Sequence, residues 1–238
     1  MQLSFGFGPA DRPDAGKLAA VLAAARRTAA YGPVIARTAE SGDLALAQLP
    51  PIGIHTYIGN KEQFRNPQAA AASVRRRAAG DVLCGSLEEL LRLAAAPPAT
   101  ARRMTVRTPL GERLASESAR DCLWRAFELP VFEELIGSEG EVLASECEAH
   151  SGLHLDTQSA IFEACYGELV VTSLVALRYP IIRLRTGWVG AIERSTCPCG
   201  ERVTRFVPVA VGAAPVRKPP AAARASRRAA NHSAVAAV

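Results

Sequence analysis

Strand-like and helix-like segments alternate between residues 81 and 140, and this order constrains the fold more than any other feature. The segments typical of strands are short and apolar, and they are residues 81–85, 104–107 and 130–136. Two segments between them, residues 87–96 and 111–128, have the composition and spacing of helices. Strand, helix, strand in succession predicts an α/β fold with a helix-covered parallel sheet.

The rest of the chain differs from this central part. Residues 14–31 are rich in Ala and Leu at helical spacing and predict one helix, and residues 61–79 indicate a second, more exposed helix. After residue 140, short β-rich segments separated by turns predict a small, mostly antiparallel unit. The predicted domains are an N-terminal helical region, an α/β segment, a β-rich unit and a tail, at residues 1–80, 81–140, 141–212 and 213–238.

Composition predicts a soluble, cytoplasmic protein that has no membrane partner. The chain has 238 residues, of which 49% are hydrophobic and 21% charged, so it can bury a sizeable core. No apolar run reaches the roughly 18 residues of a membrane-spanning helix, and the N-terminus lacks the pattern of a signal peptide.

The net charge of +5 does not favour nucleic acid as a partner, because the excess is confined to one end. From Ala213 onward there are five basic residues and no acidic one, and the remainder has 23 basic and 23 acidic residues. This Ala, Pro and Arg tail has few large apolar residues, which predicts a disordered, solvated terminus.

Cysteine and histidine residues form two short-spaced pairs, Cys147-x-x-His150 and Cys197-x-Cys199. Two such pairs joined by a long connection are typical of structural zinc sites, and His154 is a further candidate ligand. The alternatives are unrelated thiols and surface histidines, or a nucleophilic cysteine with a neighbouring histidine base. The other cysteines stand alone on apolar segments and are expected to be core residues.

Several motifs between residues 107 and 200 together resemble a known family. They have the sequences Thr-Pro-Leu-Gly-Glu-Arg-Leu, Leu-Pro-Val-Phe-Glu-Glu, Gly-Glu-Leu-Val-Val-Thr-Ser-Leu, Tyr-Pro-Ile-Ile-Arg-Leu-Arg-Thr-Gly and Cys-Pro-Cys-Gly, at residues 108–114, 129–134, 167–174, 179–187 and 197–200. In this order they resemble the adenylate-forming enzymes, specifically the phenylacetate-coenzyme A ligase branch. The likeness covers about half of the chain.

The resemblance implies that ATP activates a carboxylic acid to an acyl-adenylate, which is then transferred to coenzyme A. Carried over by motif, Glu139 is the expected ligand of the ATP-bound magnesium ion, and Ser138 is the expected phosphate or acyl contact. Gly137, Arg185 and Thr186 are the expected cofactor-binding residues. The alternative for Ser138 and Glu139 is a capped, solvated turn.

The sequence also departs from the family pattern at positions that the chemistry needs. Trp188 stands where the family has the acidic residue that holds the ribose, and Leu135 or Ile136 replaces the tyrosine that packs on the adenine. Residues 65–80 lack the Ser/Thr/Gly-rich phosphate loop. The expectation is that the family's C-terminal domain, with its catalytic lysine, is missing as well. The expectation is a ligase-like chain that is weakly active or inactive alone, with another protein fragment as a candidate partner that supplies the missing parts. The alternative is a non-catalytic, zinc-containing binding or scaffolding relative.

Overall fold

The computed structural model describes residues 14–39, 46–69, 81–94 and 101–209. Its helices are α1 (Ala15–Arg26), α2 (Gly32–Ala39), α3 (Ile54–Gly59), α4 (Leu87–Leu93) and α5 (Glu117–Phe127). Its strands are β1 (Ile52–Gly53), β2 (Val82–Gly85), β3 (Arg103–Pro109), β4 (Val131–Ile136), β5 (Val142–Glu146), β6 (Leu153–Leu155), β7 (Ala160–Cys165), β8 (Glu168–Ser173), β9 (Leu184–Thr196) and β10 (Arg202–Pro208). The predicted mixed α/β architecture is confirmed, and no helix of the described residues is long and apolar enough to cross a membrane.

The strand–helix alternation of residues 81–140 forms a parallel three-stranded unit, as its order predicts. β2 pairs with β3, and β3 pairs with β4, both in parallel. Ser86 begins α4 with a capping box to Glu89, and the Ser116 hydroxyl accepts a hydrogen bond from the Ala119 amide at the start of α5. The two helices cover buried strand residues of the parallel unit, among them Met104.

The sheet continues from this unit without interruption. β4 pairs antiparallel with β5, and the order along the whole sheet is β2-β3-β4-β5-β6-β10-β9-β8-β7, with β1 added in parallel beside β9. A second, larger core lies against these strands and includes residues of α1, α2 and α3. The domain boundaries expected at residues 80, 140 and 212 stay predictions, and the tail, residues 213–238, lies outside the described residues.

Two predicted elements differ from the structure. In the predicted helix at residues 61–79, the described residues contain only a 3₁₀ turn, Lys61–Phe64, and residues 70–79 lie outside the described part. Among the segments after residue 140, which were expected to be short, β9 is a single strand of 13 residues. Ile181 and Ile182 are buried in the preceding loop, where Arg183 adopts a left-handed φ of 47°.

A buried ion pair explains why the loop before β9 has this shape. Nε and Nη2 of Arg183 donate to the two carboxylate oxygens of Glu163 on β7, at 3.1 and 3.0 Å. Nη1 donates to the carbonyl oxygens of Ala47 and Leu49, at 2.9 and 2.6 Å. The guanidinium donates hydrogen bonds to acceptors of two segments at once. The chain that leads into β9 is therefore fixed against both β7 and the loop before β1.

We expect Arg183→Met to lower the free energy of unfolding by about 3–5 kcal/mol, because it leaves the Glu163 carboxylate buried without a partner. Arg185→Met is the matched control, since Arg185 pairs with Glu168 but its side chain is 49% exposed, against 4% for Arg183. The control should cost less than about 1 kcal/mol. Equal losses in chemical denaturation would contradict this assignment.

Candidate metal centre and ligase-motif site

Two tight turns bring the cysteine pairs of the sequence to one place. Cys147 follows β5 directly, and its carbonyl accepts a hydrogen bond from the His150 amide at 3.0 Å. Cys197 follows β9, and its carbonyl accepts from the Gly200 amide at 2.8 Å. Gly200 has a φ of +95°, a conformation that glycine adopts at little cost, so the Cys197–Gly200 turn can close tightly.

One ligand atom from each of Cys147, His154, Cys197 and Cys199 lies within 4.8 Å of all the others. The Sγ atoms of Cys147 and Cys197 are 3.6 Å apart, and Sγ of Cys199 is 3.8 Å from Nε2 of His154. Three sulfurs and one imidazole nitrogen form one of the usual ligand sets of a structural zinc site. The arrangement therefore has the donors and the spacing to hold a tetrahedral zinc ion.

His154 supplies the imidazole of this group, and His150 does not. The Nδ1 atom of His150 lies 3.2 Å from Oε1 of Glu146, and its ring stacks on Phe132 with 5.1 Å between ring centroids. The spacing Cys147-x-x-His150 predicted His150 as the fourth ligand, whereas the structure groups His154 with the three cysteines. The turn at Cys147 directs the His150 side chain back toward β4 and β5, whereas His154 faces Arg205 across the pairing of β6 with β10.

The Glu146 carboxylate fixes the end of β5, from which Cys147 projects. Nη1 of Arg120 on α5 donates to Oε2 of Glu146 at 2.7 Å, and Nη2 donates to Glu133 at 2.8 Å. Burial raises the pKa of Glu133, while Thr108, the Ala115 amide and Arg120 act in the opposite direction. The last residue of β5 is thus tied to a helix of the parallel unit.

Two charged side chains around the cluster, Glu201 and Arg205, fit a metal site, and neither was predicted from the sequence. Nδ1 of His154 lies 3.5 Å from Oε2 of Glu201, which orients Nε2 toward the sulfurs. The buried Arg205 donates to Sγ of Cys197 at 3.7 Å and to Glu193 at 3.0 Å. Three thiolates leave a zinc centre with a net negative charge, which the guanidinium offsets. A lone arginine in the apolar run Val-Thr-Arg-Phe-Val was the signal for it.

The thiols differ in how readily they ionise. Burial acts against ionisation of Cys197, but the Cys199 amide and the side chains of His154, Cys199 and Cys147 lower its pKa to about 6. Burial raises the pKa of Cys147 to about 11. The Cys197 thiol is therefore prepared to bind a cation before the Cys147 thiol loses its proton.

The residues that carry the ligase resemblance meet at a second place. Oε1 of Glu139 accepts hydrogen bonds from the amides of Arg178 and Tyr179, at 2.7 and 3.0 Å. The hydroxyl of Ser138 donates to the carbonyl of Tyr179 at 2.8 Å. The turn at Ser138 and Glu139 thus contacts the segment at Arg178 and Tyr179, 39 residues further along the sequence.

Gly137 and Glu141 stabilise the Ser138–Glu139 turn through hydrogen bonds. The Gly137 amide donates to the Glu141 carbonyl at 2.8 Å, and a Cβ atom at Gly137 would lie only 2.1 Å from the Glu141 carboxylate. That carboxylate accepts from the Glu139 amide and from the Ser173 hydroxyl, at 2.9 and 3.0 Å. Burial raises the pKa of Glu141. A side chain at position 137 would therefore displace the Glu141 carboxylate from these hydrogen bonds.

The other expected cofactor-binding residues bind within the protein. Arg185 forms an ion pair with Glu168, and the Thr186 hydroxyl donates to the carbonyl of Leu169 at 2.9 Å in a buried position. Trp188, at the position of the family's ribose-binding acid, is 8% exposed, and its Nε1 donates to the carbonyl of Glu112 at 2.8 Å. Its ring stacks on Phe206. The polar groups of Arg185, Thr186 and Trp188 are therefore engaged by partners within the protein.

Comparisons with known proteins give partial likenesses. No protein-family model matches the sequence, and no curated protein matches it. Among solved structures, 2-hydroxyisobutyryl-CoA ligase in complex with 2-HIB-AMP and CoA, in an open conformation, is similar with a TM-score of 0.43 and 18% identity over 53% of this chain and 32% of that one. The same ligase in its thioesterification state gives a TM-score of 0.42 and 20% identity over 53% and 31%. The chain spans about a third of the length of these ligases.

We expect the full chain to bind about one equivalent of zinc, and His154→Ala to lose it, because one of four ligands is removed. His150→Ala is the matched control and should keep its zinc, since that ring contacts Glu146 and Phe132. Metal content by mass spectrometry after gel filtration measures both. Loss of zinc from the His150 variant alone would overturn this ligand set.

We expect Glu139→Ala to lower the free energy of unfolding by about 1.5–3 kcal/mol, because the amides of Arg178 and Tyr179 lose a charged acceptor. Glu139→Gln keeps a carbonyl acceptor at the same place and should cost less than half as much. Thermal or chemical denaturation of the two variants compares them directly. A fully neutral Glu139→Ala substitution would show that the carboxylate does not fix this turn.

Proposed function

We propose that this chain is a zinc-containing relative of the adenylate-forming acid–CoA ligases, of the phenylacetate-coenzyme A ligase branch, and that it forms acyl-adenylates poorly or not at all by itself. The observation that carries the proposal is the contact between the two motif segments at Glu139. Sequence matches 39 residues apart meet through three hydrogen bonds, so they act as one site. The Cys-Pro-Cys-Gly sequence at residues 197–200, shared with that branch, supplies two ligands of the metal cluster.

Glu139 retains a free coordination position in this arrangement. Both amides bind to Oε1, and Oε2 has no hydrogen-bond partner among the described residues. Magnesium bound to ATP takes one or two carboxylate oxygens together with phosphate oxygens. Oε2 of Glu139 is the atom that would supply such an oxygen, and the Ser138 hydroxyl lies next to it in the same turn.

The other residues at motif positions argue for poor catalysis. Trp188 has no acidic group for the ribose hydroxyls, and its ring is packed between Phe206 and the Glu112 carbonyl. Arg185 is already paired with Glu168. Residues 65–80 contain a single serine where the family has its phosphate loop. Each lost contact costs transition-state stabilisation, so a complementing protein fragment would have to supply what this chain lacks.

The zinc ion has a structural role in this proposal. Its ligands come from the end of β5, from β6 and from the turn between β9 and β10, so the metal joins elements far apart in sequence. Binding energy at such a site is folding energy, because the unfolded chain does not hold the four ligands together. We propose a carboxylic acid as the class of substrate.

A second candidate is a binding or scaffolding relative that no longer uses ATP. The buried Trp188 favours it, because a packed indole replaces the ribose-binding acid with a contact that stabilises the sheet. In this case zinc binding and the fold are retained without adenylation. The two candidates differ in whether Glu139 contributes to any turnover.

We expect carboxylate-dependent exchange of pyrophosphate into ATP to be near background for the full chain, tested with a panel of aryl and alkyl acids. Loss of the ribose and phosphate contacts, at a few kcal/mol each, reduces the rate by several orders of magnitude. Glu139→Gln tests any residual exchange, and Glu148→Gln, an acidic residue in the turn after Cys147, is the matched control. Rapid exchange that Glu139→Gln abolishes and Glu148→Gln preserves would show a working ligase and contradict the proposal.

A further inference from the structure

A cleft of about 370 Å³ opens beside the metal cluster, and only part of the cluster faces it. Cys147, Cys199 and His154 line this cleft together with the acidic residues Glu146, Glu148 and Glu201. Cys197 does not line the cleft and is 2% exposed. Small solutes therefore reach Cys147 and Cys199 directly, whereas Cys197 lies behind them.

The Cys147 and Cys197 thiols lie close enough to form a disulfide bond after a small shift. Their Sγ atoms are 3.6 Å apart, so a shift of about 1.5 Å would bring them to the disulfide distance of about 2.05 Å. The guanidinium of Arg205 lies 3.7 Å from Sγ of Cys197 and stabilises negative charge on that sulfur. Cys197 is thus placed to attack a modified Cys147.

We propose that Cys147 and Cys197 form a peroxide-sensitive pair, which hydrogen peroxide converts to a disulfide with release of the zinc ion. The inference rests on the zinc site of the proposed function. It gives the site a second property, regulated loss of the metal.

The reaction takes two steps and balances. In the zinc-bound chain Cys147 is a thiolate, because a cysteine that binds zinc loses its proton. This thiolate attacks one oxygen of hydrogen peroxide, the O–O bond breaks, and the products are a sulfenic acid and hydroxide. The Cys197 thiolate then attacks the sulfenic sulfur, the S–O bond breaks, and a second hydroxide leaves. Each sulfur loses one electron, the peroxide gains two, and two protons from solvent convert the hydroxides to water.

Loss of two thiolates leaves the zinc ion with Cys199 and His154, which are too few ligands for a closed structural site. The new bond crosses the same gap that the metal bridged, between the end of β5 and the turn after β9. Oxidation would therefore exchange one cross-link for another and keep the two turns together. A thiol reductant with added zinc reverses the change.

The test uses the zinc-loaded full chain, stripped of free metal and treated with increasing hydrogen peroxide. A chromogenic zinc chelator measures the metal released, and mass spectrometry of unreduced peptides, with fragmentation, assigns the disulfide. We expect about one zinc ion released per Cys147–Cys197 bond formed, and recovery after reduction with zinc present. Cys122→Ser, which removes an exposed thiol outside the cluster, should behave like the parent chain.

Retention of zinc under peroxide, or release with a bond at Cys199 in place of Cys197, would overturn the proposal. A chain that binds no zinc would refute the metal site itself, and the peptide map then tests the pair alone. In that metal-free chain, formation of the Cys147–Cys197 bond supports the pair, and its absence refutes it. Because the map is made on the parent chain, the test does not depend on how cysteine variants fold.

Discussion

The long strand β9 is the element on which both sites depend. It pairs with β1 in parallel and with β8 and β10 antiparallel, so its backbone groups are shared among three partners. Buried backbone groups need such partners, and a shift of β9 would break all three ladders at once. The strand begins next to the buried Arg183 and ends at Cys197. It therefore fixes the ligase-motif turn at one end relative to the metal cluster at the other.

Three arginines hold this arrangement in place, and each connects separate elements of the fold. Arg183 joins the start of β9 to β7, Arg205 joins β10 to β9 and to the turn of Cys197, and Arg120 joins α5 to the end of β5. A guanidinium suits this task because its donors lie in a rigid, planar fork. All three face carboxylates, and in the Arg183–Glu163 pair both side chains are buried, so removal of one partner there would leave a buried charge without compensation. The geometry of the metal ligands follows from these anchors.

The sequence predicts the elements better than the side-chain partners. The alternation of strands and helices at residues 81–136 and the cap at Ser86 are local signals, and the structure has both. The three cysteines of the cluster were also predictable, because their spacing is a local property of two turns. His154 was only a spare candidate, since its approach to Cys199 depends on the pairing of β6 with β10. Glu201 and Arg205 were not predicted for the same reason. Their approach to the cluster depends on the register of β10, which is set by pairing with strands that are not local in sequence.

The central claim of the account is the identity of the metal ligands, Cys147, His154, Cys197 and Cys199, whose ligand atoms all lie within 4.8 Å of one another. X-ray absorption spectroscopy of the zinc-loaded full chain measures them directly. The account predicts three sulfur atoms at about 2.3 Å and one nitrogen at about 2.0–2.1 Å from the zinc ion. A first shell with two or fewer sulfurs, or one made only of nitrogen and oxygen, would contradict it.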